Sequence, residues 1–185
     1  MNIKKIALAL TLAVGCTVAA HAASPSDNPT VGGAPMLASK DIVDNAANSK
    51  DHTALVAAVK AAGLVDTLKG AGPFTVFAPT NAAFDALPSG AVQSLLQPEN
   101  KSKLAAVLTY HVVPGKLDAA AIAAQIKAGG GKAELKTVQG ETLTARAPGG
   151  KVTVTDSKGN SANVTIANVY QKNGVIHVID KVLMP

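Results

Sequence analysis

The chain has 185 residues, with 17 Lys and Arg against 12 Asp and Glu, a formal charge of +5. The cations are dispersed as single lysines, which argues against a dedicated nucleic-acid surface, where they gather into a patch or stripe. One Cys leaves no disulfide framework, so burial and hydrogen bonding must hold the fold, and 3% aromatics with no Trp argue against strong carbohydrate stacking.

The N-terminus reads as an export signal over residues 1–22. Lys4-Lys5 is a positive start, Ile6 to Val14 is an apolar run broken only by Thr11, and Ala20-His21-Ala22 offers the small-x-small pattern of a cleavage site. The run is shorter than the about 20 residues a spanning helix needs. Cleavage after Ala22 leaves 185 − 22 = 163 residues and, without Lys4 and Lys5, a charge of +5 − 2 = +3. That is enough for one domain with a real core, secreted or periplasmic. Lipidation at Cys16 is the competing reading, disfavoured because Ala13 stands where a lipobox usually carries Leu.

From Ala23 to Pro35 the Pro, Ser and Gly content predicts a flexible tether, with ordered structure beginning near Met36. Ser39 is positioned to cap a short helix with Ile42 and Val43. Ser49 or Asp51 starts the next, whose stripe of Leu55, Val56, Val59 and Ala62 ends at Gly63, a C-cap glycine. Leu64, Val65 and Leu68 form a short apolar turn. Phe74 to Phe77 is a strand by composition, and Thr80 caps a helical turn carrying Phe84. Helices follow from Ser89 and after Pro98. An extended segment is expected at Tyr110 to Val113, then a helix capped by Asp118 that Gly129-Gly130-Gly131 stops. Period-two or fully apolar runs at Leu143 to Ala147, Val152 to Val154, Val164 to Ile166 and Val175 to Ile179 predict strands joined by glycine turns. Helices gathered early and strands late indicate an α+β fold.

Three separated phrases stand out: Gly72-Pro-Phe-Thr-Val-Phe-Ala-Pro-Thr-Asn-Ala-Ala-Phe-Asp-Ala-Leu-Pro88, the pair Tyr110-His111, and Asn173-Gly-Val-Ile-His-Val-Ile-Asp-Lys-Val-Leu-Met-Pro185. In this order they resemble a fasciclin (FAS1) domain, covering residues 36–185. The resemblance implies a wedge of two β-sheets with helices along one edge, in a small exported non-enzymatic protein. It further implies an adhesion or interaction module for an extracellular or envelope protein or polysaccharide, without cofactor or metal. It marks Tyr110 and His111 as the binding pair and Thr80, Asn81, Phe84, His177 and Asp180 as structural motif residues. Asn81 departs from the Asp many members carry there.

The residues themselves favour structure at several of these positions. His111 is expected to hydrogen-bond a side chain of the first phrase, Thr80 or Asn81, and His177, between Ile176 and Val178, to be an interior imidazole. In an extended segment Tyr110 and His111 point to opposite faces, so Tyr110 suits a core rim as well as an interface. The chain lacks a Gly-x-Ser-x-Gly elbow, a His-Glu-x-x-His pair and a phosphate loop. A second reading, also without catalysis, is a carrier of a small apolar ligand in a pocket at the sheet edge.

Overall fold

The computed structural model describes residues 28–185. The expected leader, Cys16 and the first part of the expected tether lie outside the described residues. The rest of that tether is ordered. Strands β1 (Thr30–Val31) and β2 (Ala34–Pro35) pair through a turn in which Gly32 and Gly33 adopt φ of 59° and 77°. Val31 is buried, the Gly32 carbonyl accepts the Lys50 N–H, and the Asn28 amide exchanges two hydrogen bonds with the Tyr170 backbone at 2.6 and 2.7 Å. The glycines that loosen a free chain also build a tight hairpin when one apolar residue anchors it, so ordered structure reaches back from Met36 to Asn28.

Helix α1 (Ile42–Asn48) is capped by Asp41, whose carboxylate accepts the Asp44 N–H at 2.8 Å; the cap is thus two residues beyond Ser39. A 3-10 turn capped by Ser49 leads into α2 (Thr53–Ala62), which ends at Gly63 in the left-handed conformation, φ 72°. After α3 (Val65–Lys69) comes β3 (Phe74–Pro79). The Thr80 hydroxyl then accepts the Ala83 N–H and starts α4 (Asn81–Asp85). Helices α5 (Ala91–Leu96) and α6 (Lys101–Tyr110) precede the short strand β4 (Val112–Pro114), and Asp118 caps α7 (Ala119–Ala128). The remainder is β5 (Ala133–Lys136), β6 (Thr142–Arg146), β7 (Thr153–Thr155), β8 (Ser161–Gln171) and β9 (Gly174–Ile179).

Strands β3 to β9 form one seven-stranded ladder in the order β4-β3-β9-β8-β7-β6-β5, in which β3 and β9 are parallel and the other pairs antiparallel. The two sheets of the expected wedge are two halves of this ladder. Eleven-residue β8 joins them, pairing with β7 near its start and with β9 from Val164 onward, across two register shifts between Val164 and Val169. Such irregularities bend a strand and increase its twist.

Central strands β3 and β9 separate two cores, and period-two alternation sorts their side chains. Val76, Ala78, Ile176 and Val178 join Ile42, Leu55, Val59, Phe84, Leu104 and Val107 on the helical side. Phe77 and Ile179 join Tyr110, Ile122, Leu143, Val154 and Leu183 on the other. Burial on both faces accounts for the unbroken apolar character of β9.

Candidate functional site

Helix α6 continues through Tyr110, and His111 is its C-cap with αR backbone, so this pair is not part of a strand. Both residues are interior: Tyr110 is 0% and His111 2% exposed. The His111 Nε2 accepts the Leu183 N–H at 3.0 Å, which places the ring proton on Nδ1, where it is donated to the Val107 carbonyl at 2.7 Å. The expected partners Thr80 and Asn81 are therefore replaced by two backbone groups. A ring at the end of a helix folds back onto the carbonyl four residues earlier, and the C-terminal segment crosses its other edge. Burial pushes the imidazole down to about 4, so it is neutral.

The Tyr110 hydroxyl accepts the Ser157 N–H at 2.9 Å. One residue earlier, Asp156 accepts the N–H groups of Lys158, Asn160 and Met184. Burial raises the Asp156 carboxyl, but hydrogen bonds from Asn160, Met184 and Lys158 outweigh this and hold it below its ordinary value. Tyr110 thus ties down the turn whose Asp156, together with His111, fastens residues 183 and 184.

His177 is 1% exposed, donates from Nε2 to the Leu117 carbonyl at 2.8 Å, accepts the Asn168 N–H at 3.4 Å and stacks on Phe77 with ring centres 5.6 Å apart. His52 is 3% exposed; its Nδ1 meets the Ser49 hydroxyl at 3.0 Å, while Nε2 faces the Ala78 carbonyl without reaching hydrogen-bond geometry. Burial lowers both imidazoles. All three histidines surround β3, since Phe77 also donates its N–H to the His111 carbonyl at 2.9 Å. Each nevertheless has its own partners. Ser49 and His52 are a Ser–His contact in form only, because Ser49 is 2% exposed and its oxygen also accepts the Asp51 N–H under Gly32.

Asn81 links α4 to the start of α2: its Oδ1 accepts from the Thr53 hydroxyl and the Ala54 N–H at 3.1 and 3.0 Å, and its Nδ2 donates to the Lys50 carbonyl at 2.7 Å. An Asp would keep the two acceptor contacts and lose the donor. Phe84 is buried beneath α5 and α6, and Asp180 holds Asn163 through its N–H and its carboxamide, both at 2.8 Å.

Apolar hollows lie within the helical core, but each has about 30 Å³ or less of free space, the room of a single water. A small apolar ligand has no chamber there. The large concavity, about 540 Å³, is open where β3 and β9 begin; the charged and amide side chains of Asp41, Lys69, Lys116, Lys172 and Asn173 and the backbone of Gly72 are among its lining. Gly72 and Asn173 open the two long phrases that carry the resemblance, but their residues alone read as turns before strands and do not mark a cleft. Among the described residues no three His, Cys, Asp or Glu gather as a metal site, and no helix is long and apolar enough to cross a membrane.

The model of the Fasciclin domain family matches residues 50–185. Protein sll1483 of Synechocystis is 54% identical over 144 residues, 78% of this chain and 73% of its own. Immunogenic protein MPB70 of Mycobacterium bovis is 35% identical over 176 residues, covering 92% and 80%. The pig transforming growth factor-beta-induced protein ig-h3 is 41% identical over 131 residues, 71% of this chain but 17% of that much longer one. The solved FAS1 domain pair of the insect cell adhesion molecule Fasciclin I has the same fold, with a TM-score of 0.71 at 19% identity over 83% of this chain, which spans about half (52%) of that structure. By sequence and by fold, this chain belongs to the Fasciclin domain family.

Proposed function

We propose that the protein is an exported, non-enzymatic adhesion or interaction module that binds an extracellular or envelope protein or polysaccharide. The observation that carries this reading is the Fasciclin match across residues 50–185. A relative of the same fold is described as a cell adhesion molecule, and another similar protein as the cell surface glycolipoprotein MPB83 of Mycobacterium bovis. The chemistry of the interior supports it. His52, His111 and His177, the groups best suited to proton transfer, are buried, separately engaged and neutral, which suits a rigid scaffold rather than a reaction centre. Export rests on the leader at residues 1–22, with Cys16 lost on cleavage.

Because Tyr110 and His111 are interior, they support the binding surface by holding the C-terminal segment and the turn at Asp156, without touching a partner. The test combines cell fractionation with binding of the purified protein to matrix proteins, envelope glycans and whole cells. Recovery outside the cytoplasm with saturable binding to one class is expected. A cytoplasmic protein without saturable binding contradicts the reading.

A further inference from the structure

We propose that the open cleft at the start of β3 and β9 is a binding site for an acidic saccharide, a uronate-bearing chain of a few units. This deepens the interaction-module reading and rests on it.

The cleft floor is pre-built. Gly72 lies so close to β9 that a Cβ there would sit 2.7 Å from the Asn173 carbonyl oxygen, and a Cβ on Gly174 would overlap the Phe74 carbonyl. Asn173 staples the floor from beneath, donating to the carbonyls of Leu68 and Gly70 at 2.7 and 3.2 Å and accepting the Ile42 N–H at 3.1 Å. Its side chain is thus fully committed to structure. The volume, about 540 Å³, falls within the range of ligand clefts, about 300–1,000 Å³.

The groups left over are cations and peptide donors. Lys69 is neutralised by Asp44 at 2.7 Å and Asp41 at 3.7 Å. Lys116 and Lys172 form no ion pair among the described residues. Lys116 is held with its ammonium 4.9 Å above the centre of the Tyr170 ring, and Lys172 is fixed through its backbone, whose N–H donates to the Lys40 carbonyl at 2.9 Å. The N–H groups of Ala71 and Gly72 have no protein acceptor among the described residues. Lys116 and Lys172 thus add positive charge to the cleft lining, which favours an anion, and Asp41 adds an acceptor for hydroxyl groups. A carboxylate carried on a hydroxyl-rich ring matches that set. An acidic peptide matches it less well, because the apolar side chains in the lining are Ala71 and Pro73, neither an anchor pocket of the kind that secures peptides. A nucleic acid would find no aromatic ring in the lining to stack on.

The test titrates the purified protein with tetragalacturonate, neutral cellotetraose, tetraglutamate and free galacturonate, following backbone amide NMR shifts. Tetragalacturonate is expected to shift residues 70–72, 116 and 171–174 saturably, to bind more tightly than the monomer, and to weaken with added salt. The double variant Lys116→Gln/Lys172→Gln should bind it about tenfold more weakly or worse. Lys103→Gln/Lys151→Gln, outside the cleft, should bind it unchanged. Equal binding of cellotetraose or tetraglutamate, shifts confined to other residues, or indifference to the Lys116/Lys172 exchange overturns the acidic-saccharide site. If envelope material still binds saturably to that double variant with unchanged affinity, the interaction-module reading stands without this cleft. If nothing binds at all, both fall.

Discussion

The Leu183 N–H donates to Nε2 of His111 at 3.0 Å across 72 residues of sequence, so that one imidazole closes the gap between the end of α6 and the C-terminal segment. Removing the ring in His111→Ala leaves the Leu183 N–H and the Val107 carbonyl unpaired in the interior. A loss of about 2–6 kcal/mol in folding stability is expected, since each of the two stranded buried groups costs about 1–3 kcal/mol. Urea unfolding measures it, and a stability within error of the parent contradicts the bracing role.

Acid should unfold the domain early. His111 titrates at about 4 when folded against 6.5 as its ordinary value, because burial penalises the charged form. A folded pKa below the unfolded one means that the unfolded chain takes up the proton first. The stability contribution is therefore complete above pH 6.5 and lost as pH falls toward 4, about 3 kcal/mol for this residue. His52 and His177 are lowered by burial in the same direction and add to the loss. Asp156 also acts in this sense, its contribution being lost as pH falls below its ordinary 3.8. Urea midpoints taken from pH 8 to pH 4 should decline throughout the lower half of that range, and a flat profile would contradict the assignment.

Phe84 is 6% and Ile176 5% exposed, both in the helical core. Truncation of either to Ala should cost about 2–5 kcal/mol, the lost transfer energy plus that of the cavity left behind. Differential scanning calorimetry reads this as a clear drop in Tm; unchanged melting would remove both from the core.

At Asn81 the order of two variants is diagnostic. Asn81→Ala deletes three hydrogen bonds that tie α4 to α2 and should cost about 1–2 kcal/mol. Asn81→Asp keeps both acceptor contacts and adds a negative charge at the N-terminus of α2, which the helix dipole favours, while losing the donor to Lys50. Its stability should fall between those of the parent and the Ala variant. An Asp variant less stable than Ala would mean that the amide donor outweighs the rest.

Much of this architecture is written in local chemistry. Asp118 and Gly63 act at the helix ends the sequence assigns to them, and β3 and β9 follow from runs of β-branched and aromatic residues. Strand β5 was not foreseen, because Ala-Glu-Leu-Lys is a four-residue alternation with a small residue and two charges; its pairing with β6 supplies what composition does not. The hairpin at Thr30 to Pro35 was hidden in the same way, its stability coming from Lys50 and Tyr170, far along the chain. Tyr110 and His111 were legible as a pair but not as a site, since a helix that runs through Tyr110, where an extended segment was expected, changes what both rings touch. The cleft has no sequence signal, because Lys116 and Lys172 are ordinary surface lysines until Gly72 and Gly174 bring their segments together.

Imidazole nitrogen spectroscopy on uniformly ¹⁵N-labelled protein tests most directly whether the histidines brace the scaffold. His111 should appear as the neutral Nδ1–H form and His177 as the neutral Nε2–H form, with His111 staying neutral as pH is lowered from 8 to 5 while the domain stays folded, and His177 taking up its proton only below the ordinary 6.5. A titration midpoint near 6.5 at either ring, or the opposite tautomer at His111, would contradict it.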